Sequence, residues 1–292
     1  MPDATATIGV IGGSGFYNLQ GLHDAERLAV ATPFGEPSGA IVLGTLAGRR
    51  VAFVARHGDG HRLLPSEVPS RANIWALRSL GVQRVLAVSA VGSLREEVAP
   101  LHAVVPDQLI DRTHGRPSTF FGGGVVAHIG FADPFCERTA TVLSAAAAAS
   151  GVRTHAGGTL VVIDGPAFST RAESEQHRAA GATIVGMTAL PEAKLAREAE
   201  LCYASICFVT DYDVWHAHAA DVSVELVLAN LQRNVDHARA TITRAVAQLP
   251  EPRDCGCGRS LAGALMTAPA DVPPEARARV ALLVDRYWGG AP

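Results

Sequence analysis

An α/β domain is the fold class this sequence predicts, on three observations. Short β-branched runs alternate with helical segments. Hydrophobic residues make up 48% and charged residues 18% of the 292 positions, so an ample core is available and a disordered chain is not expected. The first apolar run, IGVIG from Ile8, passes straight into the glycines of GGSGF, as many anion-binding loops do.

In chain order, strands are expected at 8–12 (IGVIG), 40–46 (AIVLGTL) and 50–55 (RVAFVA). The last two read as a hairpin turning at Ala47-Gly48. A helix fits 69–80, followed by strands at 84–89 (RVLAVS) and 103–109 (AVVPDQL). The helix over 134–150 contains SAAAAAS, which is more simply helix than a low-complexity tract. Strand 159–163 (TLVVI) precedes a helix at 172–180, for which Thr170 and Glu173 form a capping box. Strand 183–185 leads to a helix at 191–199 with proline in its first turn. Strand 204–209 (ASICFV) and a long helix at 222–249 follow. PEPRDCGCGR, from Pro250, marks a boundary that divides a domain of residues 1–250 from an appended helical tail, 251–292. No internal repeat is visible.

The formal net charge is -3 without a basic run, so a nucleic-acid partner is not expected. No apolar run reaches membrane-spanning length. The polar MPDATAT leads directly into the first strand, without room for a signal peptide, and a cytoplasmic protein is expected. Five cysteines are scattered, two as Cys255-Gly-Cys257. They match neither a secreted disulfide framework nor a zinc ligand spacing, and no metal site is expected.

The glycine loop fails two motifs. A dinucleotide fingerprint counted from Gly13 finds Gly15 but then Asn18 in place of the third glycine. The triphosphate loop needs a following Lys, and none is there. What remains is a turn whose backbone N–H groups and Ser14 hydroxyl could meet an anion, or simply a tight turn that needs glycine. Other segments add donors: Arg56 and His57 in ARHG, Ser89 and the Ala90 N–H in SAVGS, and Thr188 in GMTALPE. Each falls at an expected strand end or before a helix, where α/β ligand sites gather. Each also has a plain structural alternative: a surface ion pair for Arg56, a strand-end cap for Ser89, a helix cap for Thr188. Together they could surround a tetrahedral oxyanion.

The stretches IGVIGGSGF, TPFGEPS, ARHG, RANIWAL, SAVGSLREE, DQLIDRTHGRPSTFF, ADPFCERT, DGPAFSTRAES, GMTALPEAKLAREAELCYASI and TDYDVW occur in this order. They closely resemble the 5′-methylthioadenosine phosphorylases of the trimeric purine nucleoside phosphorylase superfamily, over about residues 7–250. The resemblance implies a single domain with a central mixed, partly barrel-like sheet surrounded by helices. It implies no cofactor: inorganic phosphate is a cosubstrate that attacks a nucleoside as the purine departs, within purine and methionine salvage. Ser14, Arg56, His57, Ser89, Ala90 and Thr188 would hold phosphate. Phe168 would stack near the purine and Met187 would lie beneath the sugar, although ordinary core packing also accounts for both.

TDYDVW is the most diagnostic stretch. Asp211 and Asp213 lie two residues apart after an apolar strand and could share a face. A protonated member, expected at Asp211, could donate to the purine's imidazole nitrogen while Asp213 accepts from a 6-amino group. Family members acting on 6-oxopurines usually carry Asn in this region. The resemblance further places His61 near the 5′ substituent and implies that His128 reaches a neighbouring subunit's site in a homotrimer or dimer of trimers. Val224, Val227 and Leu228 share one helical face, which could be core or an apolar wall for a methylthio group. Asp164, Ala167 and Gly186 depart from the usual Glu, Arg and Asn, which bears on the preferred substituent. A broader or 6-oxopurine nucleoside (inosine or methylthioinosine) phosphorylase is the alternative within this chemistry. A catalytically silent nucleoside-binding protein is the alternative outside it.

Overall fold

The computed structural model describes residues 6–13, 16, 21–216 and 223–289. Eleven strands form one mixed sheet: β1 (Ile8–Gly12), β2 (His23–Leu28), β3 (Ile41–Leu46), β4 (Arg49–Ala55), β5 (Arg84–Ser93), β6 (Ala103–Val105), β7 (Gln108–Arg112), β8 (Thr154–Ala156), β9 (Thr159–Ile163), β10 (Ile184–Gly186) and β11 (Cys202–Asp211). Around it lie helices α1 (Ser70–Ser79), α2 (Glu137–Ala149), α3 (Arg171–Ala179), α4 (Ala189–Glu198), α5 (Val224–Gln248) and α6 (Pro274–Trp288). The main path runs β2-β3-β4-β1-β5-β10-β9-β7, and β11 branches from β5 to carry β6 and β8. This branch gives the partly barrel-like sheet that the sequence leads one to expect.

Residue alternation along the central strands assigns their two faces. In β5, Val85, Ala87 and Val91 join one core cluster, with Ile74 and Leu77 of α1 and Leu195 of α4. Leu86 and Val88 point into the other, with Leu143 of α2 and Ile242 of α5. Both faces are covered, which is why β1 is buried at every position and reads as continuously apolar. The β3–β4 hairpin turns at Ala47 (φ 49°) and Gly48 (φ 76°), two left-handed residues as a type I′ turn requires. The Thr170–Glu173 capping box starts α3 as expected.

Three expectations change. The strand expected at 103–109 breaks into β6 and β7, separated by Pro106, which has no N–H to give a ladder. β2 (HDAERL) is an edge strand exposed at every position, so it lacks the apolar alternation that would announce it. The cysteines are not scattered in space: Cys136, Cys202, Cys255 and Cys257 place their sulfurs within 4.8 Å of one another. Residues of α6, including Val280, Leu283 and Val284, enter the same core cluster as β1. Among the described residues, no helix is long and apolar enough to cross a membrane.

Glu198, at the end of α4, ties the loop before Phe121 to the core by accepting from Thr119 Oγ1 (2.7 Å) and the Phe120 N–H (2.8 Å). Burial pushes its carboxyl up to about 7, against these two donors. The folded state therefore holds a proton that the unfolded chain releases earlier. This contribution to stability is full below the unfolded value and is lost as pH rises through about 7. Between pH 5 and 8, Glu198→Gln is expected to flatten the loss of thermal stability, by up to about 3 kcal/mol. Melting curves across that range test it, and parallel pH profiles for both proteins would rule it out.

Candidate active site

A cavity of about 270 Å³ lies where β1, β4, β10 and β11 end, beside the stretch 89–92 of β5 in the same sheet. Arg56, His57, His61, Ser89, Ala90, Phe168, Met187, Thr188, Asp211, Asp213 and Val227 all line it. Residues widely separated in sequence thus meet as expected. Ser14 falls outside the described residues, although Gly13 beside it lines the cavity. A side chain at Gly13 would bring a Cβ within 2.5 Å of the Val88 carbonyl and 2.9 Å of Arg56 Nη1. The loop's backbone can approach this corner only as glycine.

On the cavity's oxyanion side, Arg56 is 1% exposed, which excludes a surface ion pair. Its Nε and Nη2 donate to Glu192 of α4 at 2.9 and 3.0 Å, and Nη1 donates to the Val88 carbonyl at 2.8 Å. Burial alone would lower its pKa, but the Glu192 carboxylate more than offsets this, so the group stays charged. Of its five N–H donors, three are engaged by these partners among the described residues. Tyr203 donates to the same Glu192 at 2.7 Å. Glu192 and Tyr203 were not identifiable from sequence as parts of this site; the only local signal is a glutamate at the first turn of a helix.

Ser89 lies inside β5 rather than at a strand end, since β5 continues to Ser93. It stands beyond Ala87, the last β5 residue paired with β1, so its face is uncovered towards the cavity. The Ser89 hydroxyl is buried without a hydrogen-bond partner among the described residues. Thr188 precedes α4 but makes no side-chain cap bond, which excludes the capping alternative. His57 Nδ1 sits 2.9 Å from the Leu63 carbonyl, which requires the proton on Nδ1. Burial, then the Arg56 charge, hold His57 down at about 4, so it is neutral at physiological pH. The His61 ring stacks on it at 4.3 Å.

On the opposite side, β11 carries a bulge between Val209 and Asp211 relative to β5. The extra residue turns Asp211 against Gly92, where any Cβ would come within 2.9 Å of Asp211 Oδ1. The bulged carbonyls are taken up by α5: Asn230 donates to Thr210 O and Asn234 to Val209 O. Asp211 Oδ1 accepts the Asp213 N–H at 2.8 Å, and Oδ2 lies 2.7 Å from Thr210 Oγ1. That hydroxyl also lies 3.2 Å from the Val91 carbonyl, and it has one hydrogen to give. When Val91 receives it, the short contact needs a proton on Asp211. Burial first, and the Asp213 charge as well, raise the Asp211 carboxyl accordingly.

Asp213 occupies the left-handed region (φ 53°), which Asp and Asn tolerate better than other side chains. Burial raises its carboxyl too, opposed by Ser174, Ser169 and His177 beside it. Its Oδ2, Ser169 Oγ and Ser174 Oγ are buried without hydrogen bonds of ordinary geometry among the described residues. The capping box of α3 fixes the helix that carries Ser174 and His177. These supports went unread in the sequence because a serine and a histidine on a polar helix carry no distinguishing pattern.

The remaining residues divide. Val227 lines the cavity, but Val224 and Leu228 are 58% and 57% exposed and do not, so within one chain they are neither core nor wall. His128 is exposed and lies outside the cavity. Arg116, also unread, donates to the Met187 and Asp164 carbonyls and pairs with the Asp164 carboxylate at 3.2 Å. It fixes the backbone of Met187 and explains Asp164, which faces Arg116 and His114 rather than the cavity.

A buried arginine paired with a glutamate and the buried Ser89 hydroxyl on one side, with buried carboxyls on the other, are the polar groups that a group-transfer site for an oxyanion and a polar ring requires. A sequence model of the phosphorylase superfamily matches residues 7–247. The chain is 54% identical, over 97% of its length and 99% of the relative's, to S-methyl-5′-thioadenosine phosphorylase of Chloroflexus aurantiacus. The crystal structure of a methylthioadenosine phosphorylase from an antarctic soil metagenomic library superposes with TM-score 0.91 at 48% identity, covering 96% of this chain and 99% of that one. A mutant adenosine/methylthioadenosine phosphorylase from Schistosoma mansoni, in complex with methylthioadenosine, gives 0.78 at 41% identity, covering 85% and 93%. The chain belongs to the methylthioadenosine phosphorylase family of the phosphorylase superfamily.

Proposed function

We propose that the chain cleaves 5′-methylthioadenosine with inorganic phosphate, giving adenine and 5-methylthioribose 1-phosphate for purine and methionine salvage. The observation that carries this reading is the polar division of a single cavity between Arg56, Ser89 and Thr188 on one side and Asp211 and Asp213 on the other. Phosphate sits against the free donors of Arg56, the Ser89 and Thr188 hydroxyls and the Ala90 N–H, with Ser14 joining from the glycine loop. Because Glu192 already balances Arg56, the bound anion keeps enough charge to attack and to stabilise an oxocarbenium-like sugar. Phe168, 40% exposed at the cavity, covers the purine. Met187 underlies the sugar with its N–H, since its carbonyl is taken by Arg116. Asp211 protonates the leaving base and Asp213 accepts from its amino group.

The reaction needs no resident cofactor or metal, because displacement by phosphate involves neither redox nor an activated water. Residues 1–250 are the catalytic domain and 251–292 an extension packed on it, in a cytoplasmic enzyme. Exposed Val224 and Leu228, together with exposed His128, support a homotrimer or dimer of trimers in which a neighbour completes the 5′ pocket. Sedimentation of the active species is expected to give a multiple of three chains; an active monomer would exclude this assembly.

Base release from methylthioadenosine is expected to require phosphate. Ser89→Ala should lower kcat/KM for phosphate by about 10²-fold, the usual effect of removing one well-placed donor, while Ser89→Thr retains most of it. Equal adenine release with and without phosphate would identify a hydrolase instead.

A further inference from the structure

Away from the cavity, four of the five cysteines converge at the opposite end of β11. Cys136 precedes α2, Cys202 is the first residue of β11, and Cys255 and Cys257 flank Gly256 in the segment after α5. Cys202 Sγ lies 3.3 Å and Cys136 Sγ 3.8 Å from Cys255 Sγ, and all four sulfurs fall within 4.8 Å of one another. A tetrahedral ion with metal–sulfur bonds of about 2.3 Å needs sulfurs about 3.8 Å apart. The quartet therefore already has the dimensions of a tetrathiolate cage. Cys136, Cys202 and Cys257 are buried and Cys255 is half-buried, which makes the cage closed, as structural rather than catalytic sites are.

The surroundings suit four thiolates. A divalent ion with four thiolates carries a net charge of −2, and Arg84, Arg138 and Arg253 line the small cavity beside the sulfurs. Asp254 also lines it, but pairs with Arg138 at 3.5 Å. Thr139 Oγ1 donates to Cys136 Sγ at 3.4 Å, an outer-layer contact of the kind that orients a metal ligand. Two neutral disulfides would call for neither the arginines nor the gathering of all four sulfurs within one sphere of contact.

We infer that Cys136, Cys202, Cys255 and Cys257 form a structural tetrathiolate site for a soft divalent cation, zinc foremost. Binding releases the thiol protons to solvent and changes no oxidation state. The ion would staple the segment after α5 to the starts of α2 and β11. It would thereby hold in place the strand whose far end presents Asp211. The C-x-C spacing hides such a site from sequence inspection, because its other two ligands come from distant elements.

The test uses the intact oligomer, purified under reducing, oxygen-free conditions without added metal. Elemental analysis is expected to find one zinc per chain. Exchange for cobalt should give the intense visible absorption of tetrahedral cobalt–thiolate coordination. Cys255→Ser and Cys202→Ser should each lose the metal, whereas Cys207→Ala, which alters the fifth cysteine in the core of β11, should keep it. Removing zinc from the wild type should lower its melting temperature. The wild-type cobalt spectrum decides the matter even when a variant fails to fold. Reduced protein that takes up neither zinc nor cobalt would overturn the inference. So would peptide mapping that finds the four cysteines joined as two disulfides in protein purified from cells.

Discussion

Methylthioadenosine is expected to be cleaved with kcat/KM roughly 10⁴-fold above that for methylthioinosine, because a site built for one polar pairing rejects a ligand that reverses it. Asp213 sets the difference. Its Oδ2 is buried, makes no hydrogen bond of ordinary geometry among the described residues and belongs to a residue lining the cavity. A 6-amino group supplies hydrogens to that carboxylate, whereas a 6-oxo group presents an acceptor to an acceptor. The informative substitution is Asp213→Asn. Asn tolerates the left-handed backbone at this position, and its amide can donate to a 6-oxo group. The variant should lose methylthioadenosine turnover while gaining on methylthioinosine, collapsing or reversing the ratio. Asp211→Asn should instead slow all purines together, because it removes the proton given to the leaving base. In the wild type, cleavage should fall as pH rises through the raised value of Asp211, since the acid form is then lost. Comparable wild-type efficiencies for the two nucleosides would refute the role assigned to Asp213.

Replacing Glu192 by Gln is expected to destabilise the protein by about 3–5 kcal/mol, the usual cost of leaving one member of a buried ion pair uncompensated. The Arg56–Glu192 pair is almost wholly buried, with side chains 1% and 2% exposed, so water cannot replace the missing partner. Arg56→Ala shares this defect, and its lost turnover would mix folding with catalysis. The double variant Arg56→Met/Glu192→Met separates them: it should recover much of the stability of either single variant. It should not recover the phosphate dependence of kcat/KM, because no guanidinium remains to meet the anion. Chemical denaturation and phosphate titration of the three variants read the two effects independently. Restored phosphate kinetics in the double variant would remove Arg56 from the anion site.

How these residues could be found differs between them. Arg56, His57, Ser89, Thr188, Asp211 and Asp213 stand in short motifs, and their order along the chain was enough to predict that they meet. The central strands were legible for a related reason. β1 and β11 are buried throughout and β3, β4 and β9 over their apolar stretches, and those apolar runs follow directly from that burial. β2 was not, because an edge strand with both faces in water has no pattern to show. Ser89 looked like a strand end because a glycine follows closely, yet β5 continues through Gly92 to pair with β10 and β11.

The sequence by itself determined the alternation of strands and helices, the β3–β4 turn, the α3 cap and the family's donor and acceptor motifs. Each of these is local, set by a few neighbouring residues and their backbone preferences. Only the tertiary structure decided that Glu192 neutralises Arg56, that Ser169, Ser174 and His177 stand behind Asp213, and that four separated cysteines share one corner. Those facts depend on which helix packs beside which strand. Burial then converts proximity into function: it holds a charged pair together, raises the carboxyls and leaves a hydroxyl without a partner. Periodicity along the chain carries none of that information, because the groups that meet are brought together by sheet pairing and helix packing rather than by spacing.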